Sequence, residues 1–151
     1  MLHQPEIAPN VGAVGRTCVA LDARLWLVRP WGFQIEEKRL RRAGLDYWPR
    51  LDWVDAASWE EMEAALPATR LWFFTKTATK TLYDVSFEEG DALVFGSESR
   101  GLPPSLLERF SDRLLRIPIS PNVRSLNLSC AVAVAGYEAL RQIDLAASRR
   151  R

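Results

Sequence analysis

The chain has 151 residues, 48% hydrophobic and 26% charged, with a formal net charge of +1. Those values suit one globular domain with its own core and exclude a disordered chain. The near-neutral total hides an uneven layout: basic residues crowd at Lys38-Arg39, Arg41-Arg42 and Arg149-Arg150-Arg151, and Glu60, Glu61 and Glu63 form an acidic cluster. Such runs are most often solvated faces, so alone they are weak pointers to an anionic partner.

Cys18 and Cys130 are the two cysteines, without metal-ligand spacing, and His3 is the lone histidine. A disulfide framework, a zinc site and a metal cluster are therefore not expected, and a reducing compartment is. The sequence has no apolar run of membrane-span length and no basic-then-apolar leader pattern, so a soluble, cytoplasmic protein without a membrane partner is expected.

In chain order, only Leu2 precedes the polar His3-Gln4-Pro5-Glu6, so the first strand is either a short edge or begins upstream. Asn10 reads as the N-cap of a helix carrying Gly12, Gly15 and Arg16. Leu25–Val28 reads as a buried strand ended by Arg29-Pro30, and residues 36–43 as a short basic helix closed by Gly44. Residues 58–66 read as a helix with Ser58 and Glu61 spaced as a capping box and Pro67 beyond its end. The stretches 71–75, 92–95 and 114–119 read as further strands, 104–110 as a helix with proline in its first turn, and 126–142 as a long helix capped by Ser125. Residues 143–151 read as a flexible tail. The alternation predicts an α/β fold, one domain over residues 1–151, with a mainly parallel sheet covered by helices on both faces.

Three loops each follow a strand and open a helix, where open α/β sheets place ligands. The first, Pro9 to Arg16, matches neither the dinucleotide fingerprint nor a Walker loop; close helix packing explains its glycines equally well. The second, Gly96-Ser97-Glu98-Ser99-Arg100-Gly101-Leu102-Pro103, sets two glycines, a carboxylate and a guanidinium directly after a strand and lacks the lysine of a triphosphate cradle. The third runs from Arg116 to Ser129 and leads into the small-residue helix Cys130, Ala131, Ala133, Ala135, Gly136. Small residues permit a close helix contact, within the chain or across a dimer.

In this order the three segments resemble the signature motifs of the SPOUT superfamily of RNA methyltransferases: the asparagine–glycine–arginine helix opening, GSESRGLP, and RIPISPNVRSLNLSCAVAVAGYEALRQ. With PWGFQIEEKRLRRAGLDYW between them, the resemblance is closest to small single-domain enzymes that methylate the ribose 2′-hydroxyl of the tRNA wobble cytidine or uridine, and it spans residues 5–142. The resemblance implies a C-terminal trefoil knot, a rare exception to unknotted chains, and a homodimer. It also implies S-adenosyl-L-methionine (AdoMet) as cofactor, bordered by Phe74, Thr75, Gly96, Gly101, Ile117, Ile119, Ser125 and Leu126. Arg16 carries the family's catalytic role and reaches the partner's site. A guanidinium rarely yields a proton, so Arg16 is expected to pin the target phosphate and acidify the 2′-hydroxyl rather than act as base. RNA contacts are expected at Lys38, Arg39, Arg41, Arg42, Arg100 and Arg124, with Trp31, Phe33, Tyr47 and Trp48 as candidate base-stacking side chains. The competing readings are a ribosomal RNA 2′-O-methyltransferase of the same superfamily, a non-catalytic RNA-binding dimer and an unrelated nucleotide-binding α/β protein.

Overall fold

Successive side chains of a strand point to opposite faces of its sheet, so a strand buried on both faces feeds two apolar clusters. In the computed structural model, which describes residues 1–33, 46–66 and 70–148, the strands are β1 (Leu2–His3), β2 (Leu25–Val28), β3 (Trp53–Ala56), β4 (Leu71–Phe74), β5 (Ala92–Phe95) and β6 (Leu114–Leu115). They pair in the order β3-β2-β1-β5-β4-β6, every recorded pair parallel. Leu2, Leu25, Leu27, Phe95 and Leu115 enter one apolar cluster, and Val28, Ala56, Leu71, Phe73 and Val94 enter another. Helices α1 (Ala8–Ala20) and α4 (Leu128–Ser148) close the first face. Helices α2 (Trp59–Ala64) and α3 (Pro104–Arg109) close the second. Among the described residues, no helix is long and apolar enough to cross a membrane.

Several expectations change in detail. The first strand is central, not an edge: Leu2 pairs with Leu27 on one side and Phe95 on the other. Flanking bonds extend this two-residue strand, from Gln4 N–H to the Val28 carbonyl at 2.9 Å and from Phe95 N–H to the Met1 carbonyl at 3.0 Å. The last strand stops at Leu115 instead of reaching residue 119. Arg116 bonds Lys80 and Leu82 across an isolated bridge, and Pro118 and Pro121 then lack the N–H groups a ladder needs. The strand β3 carries no clear apolar alternation. Its Asp55 is held by a two-pronged contact from Arg29, the residue after β2, at 2.9 and 2.6 Å, which holds the Asp55 carboxyl below its usual range.

Helix starts differ as well. The first helix begins at Ala8, two residues before the expected cap, because proline at its first turn needs no N–H acceptor. The capping box of α2 forms: Ser58 accepts from Glu61 N–H, and the Glu61 carboxylate accepts from Ala57 N–H at 2.8 Å. The long helix starts at Leu128, where the Asn127 side-chain oxygen accepts from Ser129 N–H at 2.9 Å; Asn127, not Ser125, makes the capping bond. It continues to Ser148, so residues 143–148 are helical where a loose tail was expected. The close approach predicted for the small-residue face occurs within the chain: a methyl on Gly136 would come within 2.6 Å of Leu21 at the end of α1.

His3 is 5% exposed, beside the Trp59 ring at 6.0 Å, and burial lowers its pKa below the ordinary value of 6.5. Below pH 6.5 the unfolded chain takes up a proton at this position that the folded chain resists, so stability falls with pH until the lower, folded pKa is passed. A pH series of melting temperatures from 7 down to 5 should therefore fall less steeply for His3→Gln than for wild type; parallel curves would remove His3 as the cause.

Candidate active site

The parallel register brings three chain ends to one level. Phe74 is paired with Phe95 on β5 and with Leu115 on β6, so Thr75, Gly96 and Arg116 leave the same carboxyl edge side by side. Thr75 extends the ladder by donating to the Leu115 carbonyl at 2.9 Å. Phe74 stacks on Phe95 with ring centroids 4.7 Å apart, which makes the floor of this edge aromatic.

The loop after β5 folds back on itself. Ser97 and Gly101 exchange backbone hydrogen bonds of 2.9 and 3.2 Å around Glu98, Ser99 and Arg100. Gly96 lies beneath this hairpin, where a methyl group would overlap the Gly101 carbonyl carbon and the Leu102 nitrogen. Gly101 has open space around its Cα, but its φ of +71° is one that other residues rarely adopt. One glycine thus serves contact and the other conformation.

A polar chain ties this loop to the other two. The Glu98 carboxylate accepts from Glu6 N–H at 2.8 Å, from Ile7 N–H at 3.3 Å and from the Asn10 amide at 2.9 Å. The Asn10 oxygen in turn accepts from the Asn127 amide at 3.0 Å. Beside them Ser99 donates to Glu6 through its N–H and its hydroxyl, at 2.9 and 2.6 Å, and these bonds lower the Glu6 pKa. Asn10 is therefore no helix cap; it is buried inside the first turn, joining the first loop to the second and third.

The expected cofactor residues divide by exposure. Phe74, Thr75, Gly96, Ile117 and Ile119 are partly buried, whereas Gly101, Ser125 and Leu126 are exposed. None of the eight side chains is charged. A half-open edge with an aromatic floor, glycine backbone and aliphatic side chains fits an adenosyl group, whose flat base is apolar on its faces and hydrogen-bonding at its rim.

Arg16 is not at this edge. It lies on the exposed side of α1, six residues beyond Asn10 and so about 9 Å further along the axis. Since α1 joins two parallel neighbours, it runs back from the carboxyl edge. Its guanidinium lies over the Tyr47 ring, 4.9 Å from the centroid. Arg100 and Arg124 are exposed near the loops, while Lys38, Arg39, Arg41 and Arg42 lie outside the described residues. Tyr47 and Trp48 are 8% and 9% exposed within the α1-side core, so they are not available to stack on bases as expected. Trp31 is half-buried, packed on Phe33 at 5.2 Å and covered by Arg29 at 5.0 Å. The contacts of Glu6 and the anchoring of Tyr47 carry no spacing signal in the sequence.

The pattern of the SpoU rRNA Methylase family matches residues 1–137. The chain is 47% identical over 150 residues to a tRNA (cytidine(34)-2'-O)-methyltransferase of Saccharophagus degradans, covering 99% of this chain and 97% of that one. A solved structure described as giving insights into the 2-OH methylation of C/U34 on tRNA superposes with a TM-score of 0.87 at 49% identity, over 93% of this chain and 92% of that one. The SpoU methyltransferase AviRb of Streptomyces viridochromogenes, solved in complex with AdoMet, superposes with a TM-score of 0.78 at 25% identity, over 93% of this chain and 58% of that one. The fold and its carboxyl-edge loops are those of an α/β methyltransferase. The chain belongs to the SpoU methylase family.

Because backbone meets backbone at Gly96, Gly96→Ala should cost at least about 2 kcal/mol of stability and abolish AdoMet binding in calorimetry. Gly101→Ala, which meets only a conformational penalty, should cost about 1 kcal/mol. Equal losses would contradict the separate roles of the two glycines.

Proposed function

We propose that this chain transfers the methyl group of AdoMet to the ribose 2′-hydroxyl of the wobble pyrimidine, cytidine or uridine 34, of tRNA. What carries the reading is the uncharged edge at the ends of β4, β5 and β6 in a chain that is 47% identical, almost end to end, to an enzyme named for that reaction. AdoMet is the cofactor, and when bound it supplies an electrophilic methyl group on a sulfonium centre. Phe74, Thr75, Gly96, Gly101, Ile117, Ile119, Ser125 and Leu126 hold its adenosyl part. The deep trefoil knot of the superfamily is part of the reading. It is supported by chain order, since β4 lies between β5 and β6 and the chain leaving β5 passes β4 before α4 returns to pack near β5.

The protein's own share of the reaction is positioning, which can lower a barrier by on the order of 7–11 kcal/mol in favourable cases. Arg16 grips the phosphate beside the target ribose with its planar fork. Its fixed positive charge acidifies the 2′-hydroxyl, whose proton would pass to solvent as the methyl group exchanged its bond to the sulfonium sulfur for one to the ribose oxygen, the sulfur leaving as a neutral thioether. A guanidinium pKa above about 12 keeps Arg16 charged throughout. Arg100 and Arg124, with Lys38, Arg39, Arg41 and Arg42, hold further phosphates without reading sequence.

Arg16 lies back from the carboxyl edge of its own chain, and this favours a homodimer in which each α1 completes the partner's site. Val134, Tyr137 and Leu145 leave apolar surface on α4, at 41%, 53% and 46% exposure, that a second copy would cover. Such an enzyme works in the cytoplasm, where it meets tRNA.

The first test is transfer of labelled methyl from AdoMet to total tRNA, followed by nuclease mapping. A 2′-O-methylated wobble pyrimidine is expected; label in ribosomal RNA alone, or AdoMet binding without transfer, would replace this reading. Arg16→Lys keeps the charge but loses the fork, and should lower turnover about a hundredfold; near-normal turnover would rule out the clamp. Equal amounts of Arg16→Ala and Leu126→Glu chains, each retaining only a small residual activity alone, should recover about a quarter of wild-type activity on co-refolding, because each mixed dimer regains one complete site. No recovery would place Arg16 in its own chain's site.

A further inference from the structure

Tyr47 is built into the molecule around Arg16. Its hydroxyl donates to the Gly12 carbonyl, the acceptor that helical geometry also assigns to the Arg16 N–H. The ring lies under the Arg16 guanidinium, 4.9 Å from centroid to Cζ. The ring itself has little freedom. Arg50 N–H closes a 2.8 Å bond on the Tyr47 carbonyl, and Trp48 and Leu51 press on α1 where Gly15 leaves room. A methyl on Gly15 would stand 3.0 Å from the Trp48 ring and 3.1 Å from Leu51. Gly15 of the first motif thus serves to seat Trp48 and Leu51 against the helix that carries Arg16.

A long, exposed arginine has many rotamers, and a phosphate clamp works best when its fork is already aimed. We propose that Tyr47 is a positioning residue for Arg16, holding its guanidinium in the phosphate-gripping direction through the ring face and the Gly12-anchored hydroxyl. Tyr47 is itself buried, so its part is played through Arg16. The proposal rests on the reading of Arg16 as the phosphate clamp.

Tyr47→Phe tests it with little risk to folding, since the ring stays and the Gly12 carbonyl keeps its helical partner. The variant should melt near the wild-type temperature and bind AdoMet unchanged, while kcat falls about ten- to a hundredfold and KM for tRNA moves by less than about threefold. In the Arg16→Ala background the same change should have no further effect on kcat. In 15N-labelled protein without RNA, the Arg16 Nε–H signal should lose its order in Tyr47→Phe, a readout independent of turnover. Unchanged kcat and unchanged Arg16 order would overturn the proposal, as would an equal fall in kcat with and without Arg16. If Arg16→Ala itself retains full turnover, the clamp reading fails, and the role of Tyr47 in the reaction falls with it.

Discussion

The carboxylate of Glu98 is the contact on which the candidate site depends. It accepts two backbone N–H groups from the turn after β1 and the amide of Asn10, and Asn10 passes the connection to Asn127 at the start of α4. Without these bonds, three loops separated by up to 117 residues would have only the Ser99–Glu6 contact and apolar packing to align them. Hydrogen bonds are directional and packing is not, so this chain of polar groups sets the angle at which α1 and α4 leave the sheet. It also leaves the partly buried donors and acceptors satisfied, which costs less than leaving any one of them unpaired. The expense of placing a carboxylate here is offset by three donors aimed at it.

That junction has a topological reason. Between β1 and β5 the chain turns in opposite directions: from β1 it moves toward β2 and β3, and from β5 it moves past β4 toward β6. Open sheets of this kind form a crevice at such a point. Here Glu6 and Ser99 close the crevice with two bonds, and the open edge lies one strand further over, at the level ends of β4, β5 and β6. The proposed cofactor site is therefore displaced from the usual switch point toward the carboxy-terminal strands.

Much of this was legible in the sequence, and the failures have physical causes. Leu25–Val28 and Ala92–Phe95 show as apolar runs because both faces of a parallel sheet are buried, and both strands have the predicted bounds. The strand Trp53–Ala56 was not legible, because an edge strand can carry an aspartate when Arg29, the residue after the neighbouring strand, pairs with it. Asn10 was misread as a cap, since a side chain able to cap a helix can equally bond a distant loop; Ser125 was misread because the helix starts three residues later, where Asn127 makes the capping bond. Gly96 and Gly101 were legible as a pair but not as two different requirements. The need for glycine at position 96 comes from backbone five residues later, folded over it. Tyr47 and Trp48 were candidates for base stacking, yet both are buried against α1, where the Gly12 carbonyl and the space at Gly15, more than thirty positions earlier, receive them.

The small residues of the motifs point the same way once their neighbours are known. Gly15 receives Trp48 and Leu51, Gly96 receives the Gly101–Leu102 backbone, and Gly136 receives Leu21. All three close contacts are made within the chain, so none of them is available to a partner helix. Surface for a second copy must then come from elsewhere, and the exposed Val134, Tyr137 and Leu145 lie on the same helix as Gly136 but turned away from Leu21. The same logic applies to Arg16: the face of α1 bearing Gly12 and Gly15 is covered by residues 47–51, while Arg16 projects beside that cover with Tyr47 beneath it. The chain thus spends its glycines on making α1 and α4 rigid from inside, and leaves outward the apolar and cationic groups that a second subunit and a phosphate backbone would engage.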